Sequence, residues 1–398
     1  MDEQTYRAAL RDFLAREVAP HVEEWERSQF FPRDVVRELG RAGFFAPCLR
    51  PTARGQAIPL DIRFFSVLIE ELALTRCFGL TLTISIHVGV FLPLVQRLAQ
   101  PAIRDQLVTA ALRGAALGTI AITEAGSAGS DFMGIESCAE FQADRIVLSG
   151  HKSYITNAAV ADYVIVFARH QPGRHFTNFC ALLVPTDRPG VRSARLEMAV
   201  MRTAVISEIA FDQVTLDPSA LLGRKQLGMS YFLQHIAVER LSGGIWALAV
   251  AEHCLEQAQR MTVRRQIGAE TLWERSSVRH QIAQAVAQVT LLRALVEKVV
   301  AEMDRSGIVD PFQSAVLKAA VAPMMEQVIG LCVQLQGARG LTAHSSLLRL
   351  LNEFRVFGVA GGSVETMLDV ISESWAQRAA QAAEAELAVH GSAAVSLT

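Results

Sequence analysis

The sequence is short of the features that mark thiolate-metal, thiol-disulfide or nucleic-acid-binding proteins. Its six cysteines (Cys48, Cys77, Cys138, Cys180, Cys254 and Cys332) are scattered. No two are spaced as a CxxC pair, which removes the common thiolate metal and disulfide-exchange motifs. They read as reduced, mostly buried thiols. The formal charge is only −2, so there is no electrostatic footprint for nucleic acid. Charged residues make up just 20% of the chain against 51% hydrophobic, a balance that can bury a large core and does not favour disorder. The first stretch, MDEQTYRAALRDF, lacks the basic start and apolar centre of a secretion signal, and a cytoplasmic protein is expected. No internal repeat is visible.

What is present is a change of period along 398 residues, enough chain for two or three domains. Residues 1–116 carry helical spacing, as in Ile62, Phe65, Leu68, Ile69 and Leu72, with Pro32 placed to open a helix. One run, FGLTLTISIHVGVFLPLV, is as long as a marginal membrane span. Its Ser, Thr, Gly, His and Pro, and its setting among helices, make it a buried core helix, and no membrane span is expected. From 117 to 222 the pattern becomes short β-type runs separated by turns such as QPGR and TDRPG, which predicts a small barrel or sandwich. Long helical stretches return over 223–378 and predict a bundle. Residues 379–398, rich in Ala and Glu, read as a flexible tail.

Five segments stand out, each weak alone. AITEAGSAGSDF (121–132) offers open backbone N–H groups for a flat ring or an anion, or is simply a small-residue turn. SGHKSYITNAAVAD (149–162) puts Tyr154 and Thr156 on one strand face, where an aromatic beside a hydroxyl can stack on a ring and bond its edge; an ordinary half-buried strand reads the same way. VRRQIG (263–268) ends a helix with Arg264 and Arg265, suited to the helix dipole or to a pyrophosphate. QLQGARG (334–340) is a glycine helix exit. HIAVERLSGG (235–244) sets Glu239 and Arg240 among apolar residues, as a structural ion pair or a functional one. Further on, FRVFGVAGGSVETML (354–368) leads through two glycines into a helix for which Ser363 is a suitable N-cap and whose free N–H groups could hold an anion.

In this order, these segments over residues 1–378 resemble the acyl-CoA dehydrogenase flavoproteins, most closely in base placement the isovaleryl-CoA and long-chain enzymes. The resemblance implies a mainly α fold with an N-terminal helical domain, a middle β-barrel or sandwich and a C-terminal four-helix bundle. It also implies FAD, an acyl thioester substrate, an electron-transfer flavoprotein as acceptor, and a homotetramer or homodimer. By resemblance, Thr123 bonds the flavin ring and Ser130 lies near the thioester. Tyr154 takes the place of an aromatic, usually tryptophan, packed on the flavin, and Thr156 that of the threonine at its N5 edge. Arg264 and Gln266 match residues reaching the FAD of a neighbouring subunit. Gln334 and Gly337 match contacts to adenosine and pyrophosphate, and Ser363 and Glu365 a polar pair beside the pyrophosphate.

Many members carry a glutamate base where this chain has Gly361. Members without it carry the base in a bundle-helix Glu-Arg pair, which here is Glu239–Arg240. Glu239 is therefore expected to be the base, with Glu365 as runner-up, Arg240 at the substrate and Gly361 giving its N–H to the thioester oxygen. The chemistry demands a carboxylate in a dry site, its pKa raised by burial, and fixed donors where charge grows. Three departures stand against the family pattern. TEAGSAGSD is one residue longer than usual, with Ala125 replacing a proline. Ala338 stands where a glycine is common. Ala237 stands where several members place an aspartate at the pantetheine, which leaves a carrier-protein thioester open beside CoA. Two other functions remain open on this fold, a flavin-dependent monooxygenase and a non-catalytic binding protein.

Overall fold

The computed structural model describes residues 1–51, 58–126 and 131–395. The N-terminal region is helical: α1 (Glu3–Glu17), α2 (Val22–Ser28), α3 (Asp34–Arg41), α4 (Ile62–Leu74), α5 (Phe78–Ile86), α6 (Leu92–Leu98) and α7 (Pro101–Leu112). Local chemistry sets several of the starts. Asp2 accepts from Thr5 N–H at 2.8 Å, Asp61 caps α4, and Pro101 opens α7. The apolar run from Phe78 forms α5 and α6, joined through a π-helical turn at His87–Phe91. Its most apolar window is 94% buried, so other parts of the protein cover it. A second stretch, Pro311–Leu341, is also long and apolar enough to cross a membrane by composition, and 56% of its window is buried in the bundle.

The middle region is one curled sheet. Its strands are β1 (Gly118–Ala121), β2 (Cys138–Phe141), β3 (Ile146–Thr156), β4 (Tyr163–Arg169), β5 (Phe179–Pro185), β6 (Val191–Arg195) and β7 (Ile206–Leu216). The order is β1-β4-β2-β3-β7-β6, with β5 also on β4. The short strands β2 and β6 carry no run of β-branched residues, and the sequence reading passed over them. Long β3 and β7 pair antiparallel with register shifts between Leu148 and Gly150 and between Lys152 and Ile155. The second shift falls at Tyr154, where the backbone turns left-handed at φ 59°.

The bundle consists of α8 (Gly228–Arg264), α9 (Ser276–Ser306), α10 (Pro311–Gln336) and α12 (Val364–Val395), with short α11 (Ser346–Glu353) leading into the loop before α12. A two-residue hairpin, β8 (Gln266–Ile267) with β9 (Glu270–Thr271), links α8 to α9. The buried positions of α9 are Val278, Ile282, Ala285, Val289, Leu292, Val296, Val299 and Met303, alternating steps of four and three. That is the seam of two helices packed at a shallow angle. The backbone of α12 continues to Val395, well past residue 378, where the sequence reading ended the bundle; its Ala- and Glu-rich composition is strongly helix-forming. Among the described residues Cys48, Cys77, Cys180, Cys254 and Cys332 are buried free thiols, and Cys138 is exposed.

Candidate active site

Helix α8 carries the middle of the site. Its first turns seat on the sheet, where Phe232 meets Phe132 and Phe167 at ring distances of 5.0 and 5.3 Å. Two turns further along the same face comes Glu239, partly buried. Facing it is the loop between α11 and α12. Gly361 and Gly362 both have left-handed backbone, at φ 72° and 99°. A Cβ built on Gly361 would sit 3.5 Å from Glu239 Oε1 and 3.6 Å from Lys318 Cε. The Glu239 carboxylate thus occupies the space into which a side chain at 361 would project. A Cβ on Gly362 would meet only the flexible ends of Met367 (Cε, 2.8 Å) and Arg240 (Nη2, 3.2 Å), so it is the left-handed φ that favours glycine there.

Two cations hold this loop. Arg240 Nε donates to the Gly361 carbonyl at 2.8 Å. Lys318 Nζ, from α10, donates to the Phe357 carbonyl. Arg240, expected at the substrate, is thus engaged with the loop backbone, because the turn after Gly361 presents its carbonyl to the helix. Burial pushes the Glu239 carboxyl above its ordinary range, and Arg240 and Lys318 oppose that rise. Burial, with Arg240, pulls Lys318 down to about 8.

Below Glu239 the space is closed by aromatic rings. Ser242, Gly243 and Trp246 follow Glu239 by three, four and seven residues, on the same helix face. The Trp246 ring lies 4.3 Å from Phe78, 5.5 Å from Phe357 and 6.0 Å from Phe354. A Cβ on Gly243 would meet the Phe357 ring at 2.8 Å. Ser242 Oγ and Ser85 Oγ are 2.5 Å apart and buried, tying α8 to α5.

The sheet edge assembles Thr123, Tyr154 and Thr156. Ser153 N–H donates to the Thr123 carbonyl at 2.9 Å, and Thr119 Oγ1 to the Thr156 carbonyl at 2.6 Å. Tyr154 is 62% exposed, Ile155 is buried and Thr156 is half-buried. Behind them lies a pair that the sequence reading missed. Lys152 Nζ donates to Glu124 Oε1 at 2.8 Å and to the Ile122 carbonyl at 2.9 Å. Glu124 also accepts from Glu136 N–H, Ser137 N–H and Ser137 Oγ. Burial would raise the Glu124 carboxyl, but Lys152 and these donors hold it below its usual range. Ser130 lies outside the described residues.

Ser363 caps α12 as expected, its Oγ accepting from Thr366 N–H at 3.2 Å. Glu365 is exposed on the first turn, and its own N–H and Ser363 hold its carboxyl low. A runner-up base in that position is solvated, unlike Glu239.

The remaining candidates lie elsewhere. Arg264 closes α8 and is exposed, as are Gln266 on the hairpin and Gln334. Gly337 ends α10 with φ 62°. Arg265 joins these segments, donating to the Leu335 carbonyl at 2.8 Å. At 1.5 Å per residue this end of α8 is roughly 38 Å from Glu239, so the chain does not bring these four residues to its own base. Lys318 was also missed. Its signal was a lone lysine in the apolar run SAVLKAAVAPMM, the same cue that marked Glu239.

These surfaces fit FAD. An exposed aromatic and a threonine edge suit a flat ring, and the capped N-terminus of the long helix α12, behind two glycines, suits a phosphate.

Comparisons with known proteins agree with this layout. Family models for the N-terminal, middle and C-terminal domains of acyl-CoA dehydrogenase match residues 1–115, 119–214 and 226–393. The rat mitochondrial long-chain specific acyl-CoA dehydrogenase is 26% identical over 373 residues, covering 92% of this chain and 85% of its own. The mouse short-chain specific enzyme is 24% identical over 372 residues, 93% of this chain and 89% of its own. Butyryl-CoA dehydrogenase from Megasphaera elsdenii superposes with a TM-score of 0.85 at 21% identity, over 94% of this chain and all of its own. Glutaryl-CoA dehydrogenase from Mycobacterium smegmatis, solved in complex with FADH2, gives 0.83 at 23% identity over 94% and 95%. The three matched domains span nearly the whole chain, which therefore belongs to the acyl-CoA dehydrogenase family of FAD-dependent oxidoreductases.

Proposed function

We propose that this protein oxidises an acyl-CoA thioester to the α,β-enoyl thioester, with Glu239 as the base. The observation that carries the reading is that its carboxylate lies in van der Waals contact, at 3.5 Å, with the point where a side chain on Gly361 would begin. A base on either element would address the same small volume. Bound FAD supplies the acceptor for the β-hydrogen and its electron pair. Glu239 takes the α-proton, and the aromatic wall of Phe78, Trp246, Phe354 and Phe357 excludes water beneath it. The Gly361 N–H faces the charge that develops on the thioester oxygen. Arg240 supports it from the other side of the residue by holding the Gly361 carbonyl, which fixes the peptide orientation.

Thr123, Tyr154 and Thr156 hold the ring side of the cofactor, and Ser363 with the first turn of α12 its phosphate side. Arg264, Gln266, Gln334 and Gly337, remote from Glu239 and exposed, serve the cofactor of a second copy in a homodimer or homotetramer. An electron-transfer flavoprotein is the acceptor, and the protein works in the cytoplasm. A carrier-protein thioester would present the same pantetheine as CoA. The test is anaerobic titration of the flavin against acyl-CoA and acyl-carrier thioesters, for the wild type and Glu239→Gln. Bleaching in the wild type and none in a variant that still holds FAD supports the reading. Equal bleaching in both removes Glu239 as the base.

A further inference from the structure

A buried lysine near a partly buried carboxylate is costly, and beyond holding the loop Lys318 has no part in the proposed reaction. Lys318 is 4% exposed and lies on α10 between Leu317 and Val321, both buried. Lysines are almost never so buried unless paired, since stripping water from an ammonium costs several kcal/mol. Its position is specific. Nζ donates to the Phe357 carbonyl, in the turn that delivers Gly361. Lys318 Cε and Glu239 Oε1 lie 3.6 and 3.5 Å from one common point, the Cβ site of residue 361. The two side chains are therefore within about 7 Å, near enough to couple in a site of low dielectric.

Two cations face the Glu239 carboxyl: Arg240 from its own helix, which also donates to the Gly361 carbonyl and is the stronger of the two in lowering it, and Lys318 from α10. The loop contributes Arg355, exposed and paired with Glu326. Helix α5 presents Ser85, bound to Ser242.

We propose that Lys318 is a positioning residue for proton abstraction: its ammonium pins the turn that carries Gly361 and supplies the counter-charge opposite Glu239. The proposal rests on Glu239 being the base, but the coupling of the two side chains is measurable without that assumption. Burial pushes the Glu239 proton on; Arg240 and Lys318 together push it off. A base that must be ionised before substrate arrives needs the second effect. With a value of about 8, Lys318 keeps its charge through neutral pH and loses it above.

The experiment uses the full chain with FAD bound and three variants, Lys318→Met, Lys318→Gln and Lys318→Arg. The Glu239 carboxyl is titrated by difference infrared spectroscopy, with Glu239→Gln to identify its band, and the pH profile of kcat is recorded alongside. Lys318→Met and Lys318→Gln should each raise the infrared midpoint and the acid limb of kcat by about one pH unit, the lower end of the range for a nearby opposite charge. Lys318→Arg should restore most of both. Lys318→Gln keeps a donor for Phe357 and so separates charge from folding. An unchanged infrared midpoint in Met and Gln variants overturns the proposal, even if rates fall. Full activity in Glu239→Gln would overturn the base assignment instead, and leaves the infrared result to stand on its own.

Discussion

The carboxylate of Glu239 and the α-carbon of Gly361 face each other, with Oε1 3.5 Å from where a Cβ on the glycine would lie. The position of a carboxylate here is thus separable from the helix or loop that carries it. Glu239→Gln should lower the rate of flavin reduction by about 10²–10⁴-fold, the usual contribution of a positioned base. Glu239→Gly with Gly361→Glu should recover part of it. The recovery is limited because residue 361 has φ 72°, where a side chain costs about 1–3 kcal/mol of strain. Rapid-mixing reduction kinetics measure the first effect and urea denaturation the second.

The junction of the three domains contains a second carboxyl displaced by its surroundings. Glu353 is 3% exposed and accepts from Met201 N–H, while Glu26 lies close by. Burial, with the charge of Glu26, raises Glu353 from 4.5 to about 7. The neutral form is the one that suits the fold. Its contribution is therefore complete below about pH 4.5 and is lost as the pH rises through about 7, a change of about 3 kcal/mol in all. Glu353→Gln should flatten the dependence of Tm on pH between 5 and 8. Thermal scans across that range on both proteins check it; parallel curves would refute the assignment.

Trp246 closes the floor beneath Glu239. Trp246→Ala should destabilise the protein by about 3–5 kcal/mol through the cavity it leaves. The same cavity should shift the preference of the enzyme toward longer acyl thioesters. Comparing kcat/KM across a series of acyl-CoA lengths is the measurement. An unchanged preference would place the acyl chain away from this wall.

Lys152 neutralises Glu124 behind the sheet edge. Lys152→Met leaves Glu124 buried without its partner and should cost about 3–5 kcal/mol, whereas Lys152→Met with Glu124→Gln should recover much of that. Bound FAD per chain should follow the same order, because the Glu124 bonds shape the loop that carries Thr123. Denaturation midpoints and flavin absorbance report the two effects separately.

Much of this was legible in the chain. The helical spacing of α4, α8 and α9, the β-branched residues of β3, β4 and β7 and the apolar run of β5 are local signals, and they survive into the structure. Ser363 as a cap is equally local. The short strands β2 and β6 were not legible, because their pairing is fixed by neighbours in the sheet. Nor was the engagement of Arg240 with the Gly361 carbonyl, an interaction between residues 121 positions apart.

The sequence by itself determined the order of helical, β and helical domains, and it marked Glu239–Arg240 as charges in an apolar helix. Periodicity and burial cost act within a few turns, so they can be read from neighbours. Only the tertiary structure decided that Glu239, Gly361 and Lys318 share one small volume. That meeting depends on how α8, α10 and the loop before α12 pack, and no local pattern encodes a contact made across the bundle. The structure also decided that Arg264, Gln266, Gln334 and Gly337 lie far from their own base, since the length of α8 from Glu239 to Arg264, roughly 38 Å at 1.5 Å per residue, separates them.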